Sequence, residues 1–382
     1  MTQPAAPSEK PPLMARVGRT YFARRSTRVR AAASGDALHV LNAEERAGLR
    51  RVQLGAIARS ALAGALSGGV CAAAEVYADG RWANEPVTYW TVLGAVTVVA
   101  SVLEIAFLYW DTLRSVHELA RVAGLELFGN DRRSSDDALV DALARAALEL
   151  PNPVDLNVGV NPHREAKKWR LVVASLAYKA KVGVTNFVVK LLIRRVLGRV
   201  LVRGALRYLP FVSLPVTAAW NGIVTWLVLR EARIRAMGPS AIEELVGMIF
   251  ADAPPLSPQG RLSAVRAVAS SIVRTQDLHP NLVRLLSVVS QRAGDTGKNE
   301  LDDVGLFLSN LKTLDAAELK LSLQVLAIAC IVDGRITARE KVLWRDAMAA
   351  SGRAVGLEQL ERFRVAFVRG DGFADDVLRT VG

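Results

Sequence analysis

Between Ala166 and Arg230 there is no Asp or Glu at all, although the stretch carries twelve Lys and Arg and is otherwise mostly apolar. The 49 basic and 37 acidic residues of the whole chain give +12, so the excess lies in this one region. An oily segment with charge of one sign suits an anionic lipid surface, where each nearby Lys or Arg adds roughly 1 kcal/mol of attraction. Cysteine is almost missing too. Cys71 and Cys330 stand far apart in separate apolar runs, which argues against a disulfide framework and against a cysteine metal site. His39, His117, His163 and His279 never fall at metal-ligand spacing. Glycine-rich phosphate loops, nucleophile elbows, HExxH and paired catalytic carboxylates are lacking, so neither an enzyme nor a cofactor is expected. Aromatic residues make up only 6%, and the basic stretch has Val and Leu runs rather than polar or aromatic spacers, so no nucleic acid is expected as a partner. The start of the chain, rich in Pro and small polar residues, has no apolar core before its Arg cluster. It reads as a disordered basic tail over 1–35, not a signal peptide.

What is present is helical and apolar, with 51% hydrophobic residues. Val87 to Trp110 contains one charge, Glu104, and eleven Val, Leu, Ile and Phe, which supply about −5 kcal/mol toward insertion. Ala61 to Ala78 is weaker, at about −2 kcal/mol, because it is mostly Ala, Gly and Ser. Its small residues Ser60, Gly64, Gly68 and Ala72 recur every fourth position and form a ridge for close helix packing. The sequence therefore predicts a transmembrane hairpin over 36–121, its two helices packed on each other, with Arg59 paired to Glu104. Nine Arg between Arg16 and Arg51 come before the apolar stretches, against Arg81 alone in the short connecting loop, which places both ends on the cytoplasmic side of a bacterial membrane. Two buried helices of a soluble bundle are the alternative. An amphipathic helix over Asp136 to Glu149, with a Ser134 or Ser135 cap, and a turn-rich linker fill 122–165.

Over 166–238 the apolar run is broken by Lys and Arg, so the region reads as membrane-associated rather than spanning. Arg195, Arg199, Arg203 and Arg207 are spaced by four along one helical face, the pattern of an interfacial helix that binds anionic membrane lipids. A solvated face of a soluble helix would look the same. Phe211 to Leu229 is uncharged but holds Pro215 and Asn221-Gly222 between basic flanks, which predicts a re-entrant or surface-embedded hairpin. Arg207 to Pro215, then Asn221, then Arg230 to Arg233 resemble the closing part of EcsC-type bacterial proteins over about 50 residues, without the glycine-rich centre of that family.

From Glu231 onward the charges balance at 19 against 19. Helices are predicted at 241–251, 261–275, 281–292, 304–311, 316–332, 338–350 and 357–368, a soluble bundle over 239–382. In Val325 to Glu340, Gly334 suits a left-handed helix end, and Thr337 with Glu340 forms a capping box. This apolar helix, followed by Asp333-Gly334 and Glu340, resembles the TerB-like tellurite-resistance domain. The resemblance makes Asp333 and Glu340 candidate metal ligands, although two carboxylates are too few for a hard cation and both already have structural roles.

The expected fold is all-α: a membrane hairpin and basic membrane-facing helices, followed by a TerB-like bundle. The expected function is a non-enzymatic membrane-anchored adaptor whose residues 239–382 bind a protein partner, with envelope or toxic-oxyanion stress implied by resemblance. The alternative is a membrane-active or transport protein that forms a homo-oligomer through its small-residue helix, with Gly64, Gly68 and Ala72 at the contact.

Overall fold

The computed structural model describes residues 13–25, 39–79, 84–123, 134–150, 152, 159–164, 209–294, 300–354 and 356–373. The fold is all-α: α1 (Leu13–Arg25), α2 (Ala43–Asp79), α3 (Pro86–Val122), α4 (Ser134–Ala147), α5 (Leu209–Ala251), α6 (Pro258–Thr275), α7 (Pro280–Ala293), α8 (Val304–Leu311), α9 (Ala316–Ile331), α10 (Ala338–Ala350) and α11 (Leu357–Arg369). An isolated antiparallel bridge joins Val40 to Asp371. The chain divides into two compact units. One comprises Met1–Glu45, Ala120–Arg164 and Glu231–Gly382; the other, here the apolar unit, comprises Arg46–Leu119 and Glu165–Arg230.

In the apolar unit α2 and α3 are each long and apolar enough to cross a membrane. At 1.5 Å per residue, 37 residues extend about 55 Å, well beyond a hydrocarbon core of about 30 Å. Only 28% and 11% of their most apolar stretches are buried inside the protein, unlike the core helix of a soluble fold. They run antiparallel, with Ala78 clustered against Tyr89 and Leu93 at one end and Arg59 against Asp111 nearer the other.

The region 211–229 departs from expectation. It is no hairpin, because α5 continues unbroken through Pro215, Asn221-Gly222 and Gly238-Pro239. Interior prolines each cost about 3 kcal/mol, a penalty that packing has to offset. The residues that read as a turn are used for close approach instead. Gly222 lies against Ile57 of α2, and the Asn221 side chain reaches both other helices.

The larger unit is built around α9, buried without a break from Leu321 to Val332 and apolar there except for Ser322 and Gln324. It packs against α6, α10 and α11, while α6 also meets α7, α8 and α10. Side chains cap these helices: Ser257 for α6, His279 for α7, Asp303 for α8, Asp315 for α9, and the reciprocal Thr337 and Glu340 box for α10.

Two expected boundaries change. The tail over 1–35 contains helix α1, which packs against α4 with Phe22 fully buried. The module predicted to begin at residue 239 begins at Glu231 and also includes α1 and α4. Its earlier start has a packing cause. Ile234, Ala236 and Met237 are buried, and Gly334, at φ 77°, leaves the space Ile234 fills: a Cβ there would sit 2.3 Å from Ile234 Cδ1.

Candidate functional site

A polar seam runs through the apolar unit. Ser60 and Ser67 of α2, Glu104, Asp111 and Ser115 of α3, and Thr217, Asn221 and Thr225 of α5 are all buried. The same helices turn Leu62, Leu66, Val98, Val102, Ile223 and Trp226 outward, each more than a third exposed. This distribution is the reverse of a water-soluble core.

The seam is joined by specific bonds. Asn221 Nδ2 donates to Glu104 Oε1 at 2.8 Å and to the Ser60 carbonyl at 3.3 Å, and Ser60 Oγ donates back to the Asn221 carbonyl at 3.3 Å. Thr217 Oγ1 donates to the Gly64 carbonyl at 3.1 Å. Arg59 Nε donates to Asp111 Oδ1 at 2.7 Å, and its Nη2 donates to Ser115 Oγ at 3.0 Å. Arg59 thus takes Asp111 as its ion partner, two helical turns beyond the expected Glu104. Asp111 Oδ2 is buried and accepts no hydrogen bond among the described residues.

The small-residue ridge of α2 faces α5 rather than α3. A Cβ on Gly64 would stand 2.6 Å from Asn221 Nδ2 and 2.8 Å from the Thr217 carbonyl oxygen, and one on Gly68 would stand 3.0 Å from Thr217 Oγ1. Gly64 and Gly68 therefore let two backbones meet within the chain, and Ala72 is buried as well. Between α2 and α3 opens a groove of about 770 Å³. It is lined by Leu62, Leu66, Val70, Val96 and Val99 among others, with Arg59, Glu104 and Phe107 toward one end.

Arg195, Arg199, Arg203 and Arg207 lie outside the described residues. Asp333 and Glu340 are described, and their bonds are structural. Glu340 Oε1 accepts from Ser271 Oγ at 2.8 Å, its Oε2 accepts from the Thr337 amide at 2.9 Å, and Asp333 Oδ1 accepts from the Arg335 amide at 3.0 Å. Burial, and after it the neighbouring Asp333, pushes Glu340 up to about 8. Burial likewise raises Asp333. Among the described residues no group of three His, Cys, Asp or Glu is placed to hold a metal ion.

A second polar cluster lies in the same unit. His279 Nε2 is 3.0 Å from Glu231 Oε1, which also accepts from Arg235 Nε at 2.9 Å, and Asn281 Nδ2 donates to the carbonyls of Ile234 and Val332. Burial alone would raise Glu231, but the His279 and Arg235 contacts outweigh it and hold the carboxyl at about 2. These bonds tie α5, α7 and the end of α9 together.

Sequence reading missed Asp111 and took Asn221 for part of a turn instead of a link between helices. Asp111 sits just past Trp110, where the apolar run ends, and so reads as flank. The available signal was its distance of seven residues from Glu104, two turns along one face. Compared with protein-family models, with curated proteins and with solved structures, the chain gives no significant match.

Proposed function

We propose that the protein is a non-enzymatic membrane-anchored adaptor, its apolar unit embedded in a bacterial cytoplasmic membrane and its larger helical unit binding a protein partner on the cytoplasmic side. The observation that carries this reading is the reversed pattern of the apolar unit, polar within and apolar without. In lipid, a side chain such as Leu66 or Val102 costs nothing by facing outward, whereas Asn221, Glu104 and Asp111 must turn inward to find partners. The Arg-rich approach to α2 favours the cytoplasmic side for that end, and the Arg195, Arg199, Arg203 and Arg207 stripe favours anionic lipids as a further contact. The resemblance to TerB-like domains supports a recruiting role for the larger unit, in envelope or toxic-oxyanion stress. The test is extraction of full-length protein from cells. It should remain with the membrane pellet through an alkaline carbonate wash and leave only with detergent, and release by the wash would overturn the anchor.

One observation favours the alternative of a transport protein. Two buried carboxylates, Glu104 and Asp111, sit beside a groove open to the surroundings. Full-length protein in liposomes separates the readings: an adaptor leaves proton flux at the empty-vesicle level, and a flux removed by Asp111→Asn would favour transport. Oligomerisation through Gly64 and Gly68 has lost its support, since α5 already occupies that ridge.

A further inference from the structure

The groove between α2 and α3 has the length and polarity to take one acyl chain of a lipid. It extends from Arg59 to Val70 along α2, eleven residues or about 16 Å at 1.5 Å per residue. One leaflet of a bilayer has a hydrocarbon depth of about 15 Å, half of the usual 30 Å core. Its volume of about 770 Å³ falls within the range in which proteins enclose small ligands, roughly 300–1,000 Å³. Apart from Ser67, the walls near Val70, Val96 and Val99 are apolar, and the charged lining residues, Arg59 and Glu104, lie at the far end.

Two side chains give that polarity a direction. Arg59 lines the groove, is about a third exposed, and spends Nε on Asp111 and Nη2 on Ser115. Its Nη1 makes no hydrogen bond among the described residues and remains available to a phosphate or carboxylate. Ser67, one helical turn from Val70, is more than nine-tenths buried, and its Oγ has no hydrogen-bond partner among the described residues. An apolar channel one leaflet deep, with the free Nη1 edge of a guanidinium beside the Glu104 carboxylate at one end and an unsatisfied hydroxyl near the other, matches an acyl chain whose phosphate lies at Arg59.

From this we infer that the groove is a binding site for one anionic phospholipid of the cytoplasmic leaflet, its acyl chain lying between α2 and α3 and its phosphate on Arg59. The inference rests on the membrane reading above. It adds a defined stoichiometry and a headgroup preference to what would otherwise be general solvation by lipid.

The experiment uses the full chain in vesicles containing a photoactivatable phosphatidylglycerol, with the matching phosphatidylcholine probe as comparison. First, flotation with vesicles checks the membrane reading alone; a chain that does not float overturns that reading and the groove with it. For a chain that floats, crosslinks should map to the peptides spanning 59–70 and 95–107, with phosphatidylglycerol labelling at least five-fold above phosphatidylcholine. Ala100→Phe or, as a second filling variant, Val99→Trp should reduce that labelling at least five-fold. Arg59→Gln should leave labelling present and remove the headgroup preference. Crosslinks mapping elsewhere, equal labelling by the two probes in the wild-type chain, or protein crosslinks from this groove to a second copy or to residues 166–208 would each overturn the inference while leaving the anchor intact.

Discussion

The two units solve the same packing problem in opposite ways. In the larger unit α9 is surrounded by other helices and holds an unbroken buried run from Leu321 to Val332. Many of the unit's polar groups sit at helix ends, where Asp315, Thr337 and His279 satisfy backbone amides, and the buried polar side chains within helices include serines such as Ser263, Ser270 and Ser322. In the apolar unit the covered positions include Ser60, Glu104, Asp111, Thr217 and Asn221 beside apolar ones such as Leu113, Val116 and Leu229, while many Leu, Val and Trp side chains are left uncovered. Hydrophobic burial can drive the first arrangement in water. In lipid, the surroundings proposed for the apolar unit, it would not drive the second, and close packing at Gly64 and Gly68 with interhelical hydrogen bonds would act instead.

The comparison is tested most severely at Arg59 and Asp111. Arg59→Met strands a carboxylate that is 1% exposed and should destabilise the apolar unit by about 3 kcal/mol, measured by denaturant unfolding of the full chain in mixed micelles. The double change Arg59→Met with Asp111→Leu should restore most of that loss, because it removes both charges. No recovery would mean that the pair itself, rather than the stranded charge, holds the helices.

The second test is pH, which should act through the larger unit. Glu340 has an ordinary value of 4.5 when unfolded and stands at about 8 when folded, raised first by burial and then by Asp333. The folded chain therefore retains a proton that the unfolded chain releases. The resulting stabilisation is complete below about 4.5, shrinks as the pH rises, and is gone above about 8. Asp333 shifts in the same direction. Hydrogen exchange at α9 and α10 should show stability falling by on the order of 4 kcal/mol between pH 5 and pH 9, and Glu340→Gln should flatten most of that slope. A slope unchanged by the substitution would assign the effect to other groups.

A third test returns to the ridge. Gly64→Ala sets a Cβ 2.6 Å from Asn221 Nδ2 and 2.8 Å from a backbone oxygen, and should cost about 2 kcal/mol in micelles. Gly94→Ala, where nothing lies within 4 Å of the added atom, should be neutral or slightly stabilising. Equal effects would show that α5 does not close on α2 at Gly64.

Legibility divides along the same line. Helices α8 and α10 could be read to the residue, and the Gly334 turn and the Thr337 box with them, because caps and left-handed glycines are local signals. The all-α class and the two helices apolar enough for a membrane were legible from composition and run length. Which helix covers which face was not. The Ser60, Gly64 and Gly68 spacing announced a partner without saying that it was α5, more than 150 residues away, instead of α3. Pro215 and Asn221-Gly222 are strong turn signals by propensity, and tertiary packing overrode them. Arg59 was placed at the right end of the hairpin, yet its partner lay two turns further along the same face of α3, a difference in depth that counting residues from the loop did not resolve.

The smallest expected effect completes the contrast. Arg284 Nη2 lies 2.5 Å from Glu243 Oε1, as close an approach as that of Arg59 to Asp111, but the two side chains are 39% and 46% exposed. Water already solvates both charges, so their separation strands nothing, and holding two long side chains together costs rotamer entropy. Arg284→Ala should therefore change stability by no more than about 0.5 kcal/mol, and high salt should remove even that, as read by denaturant unfolding of the full chain at low and high ionic strength. A loss near that of Arg59→Met would mean that distance alone sets the strength of a pair. A loss near zero would locate the difference between the two units where their burial patterns do, in the solvent each one faces.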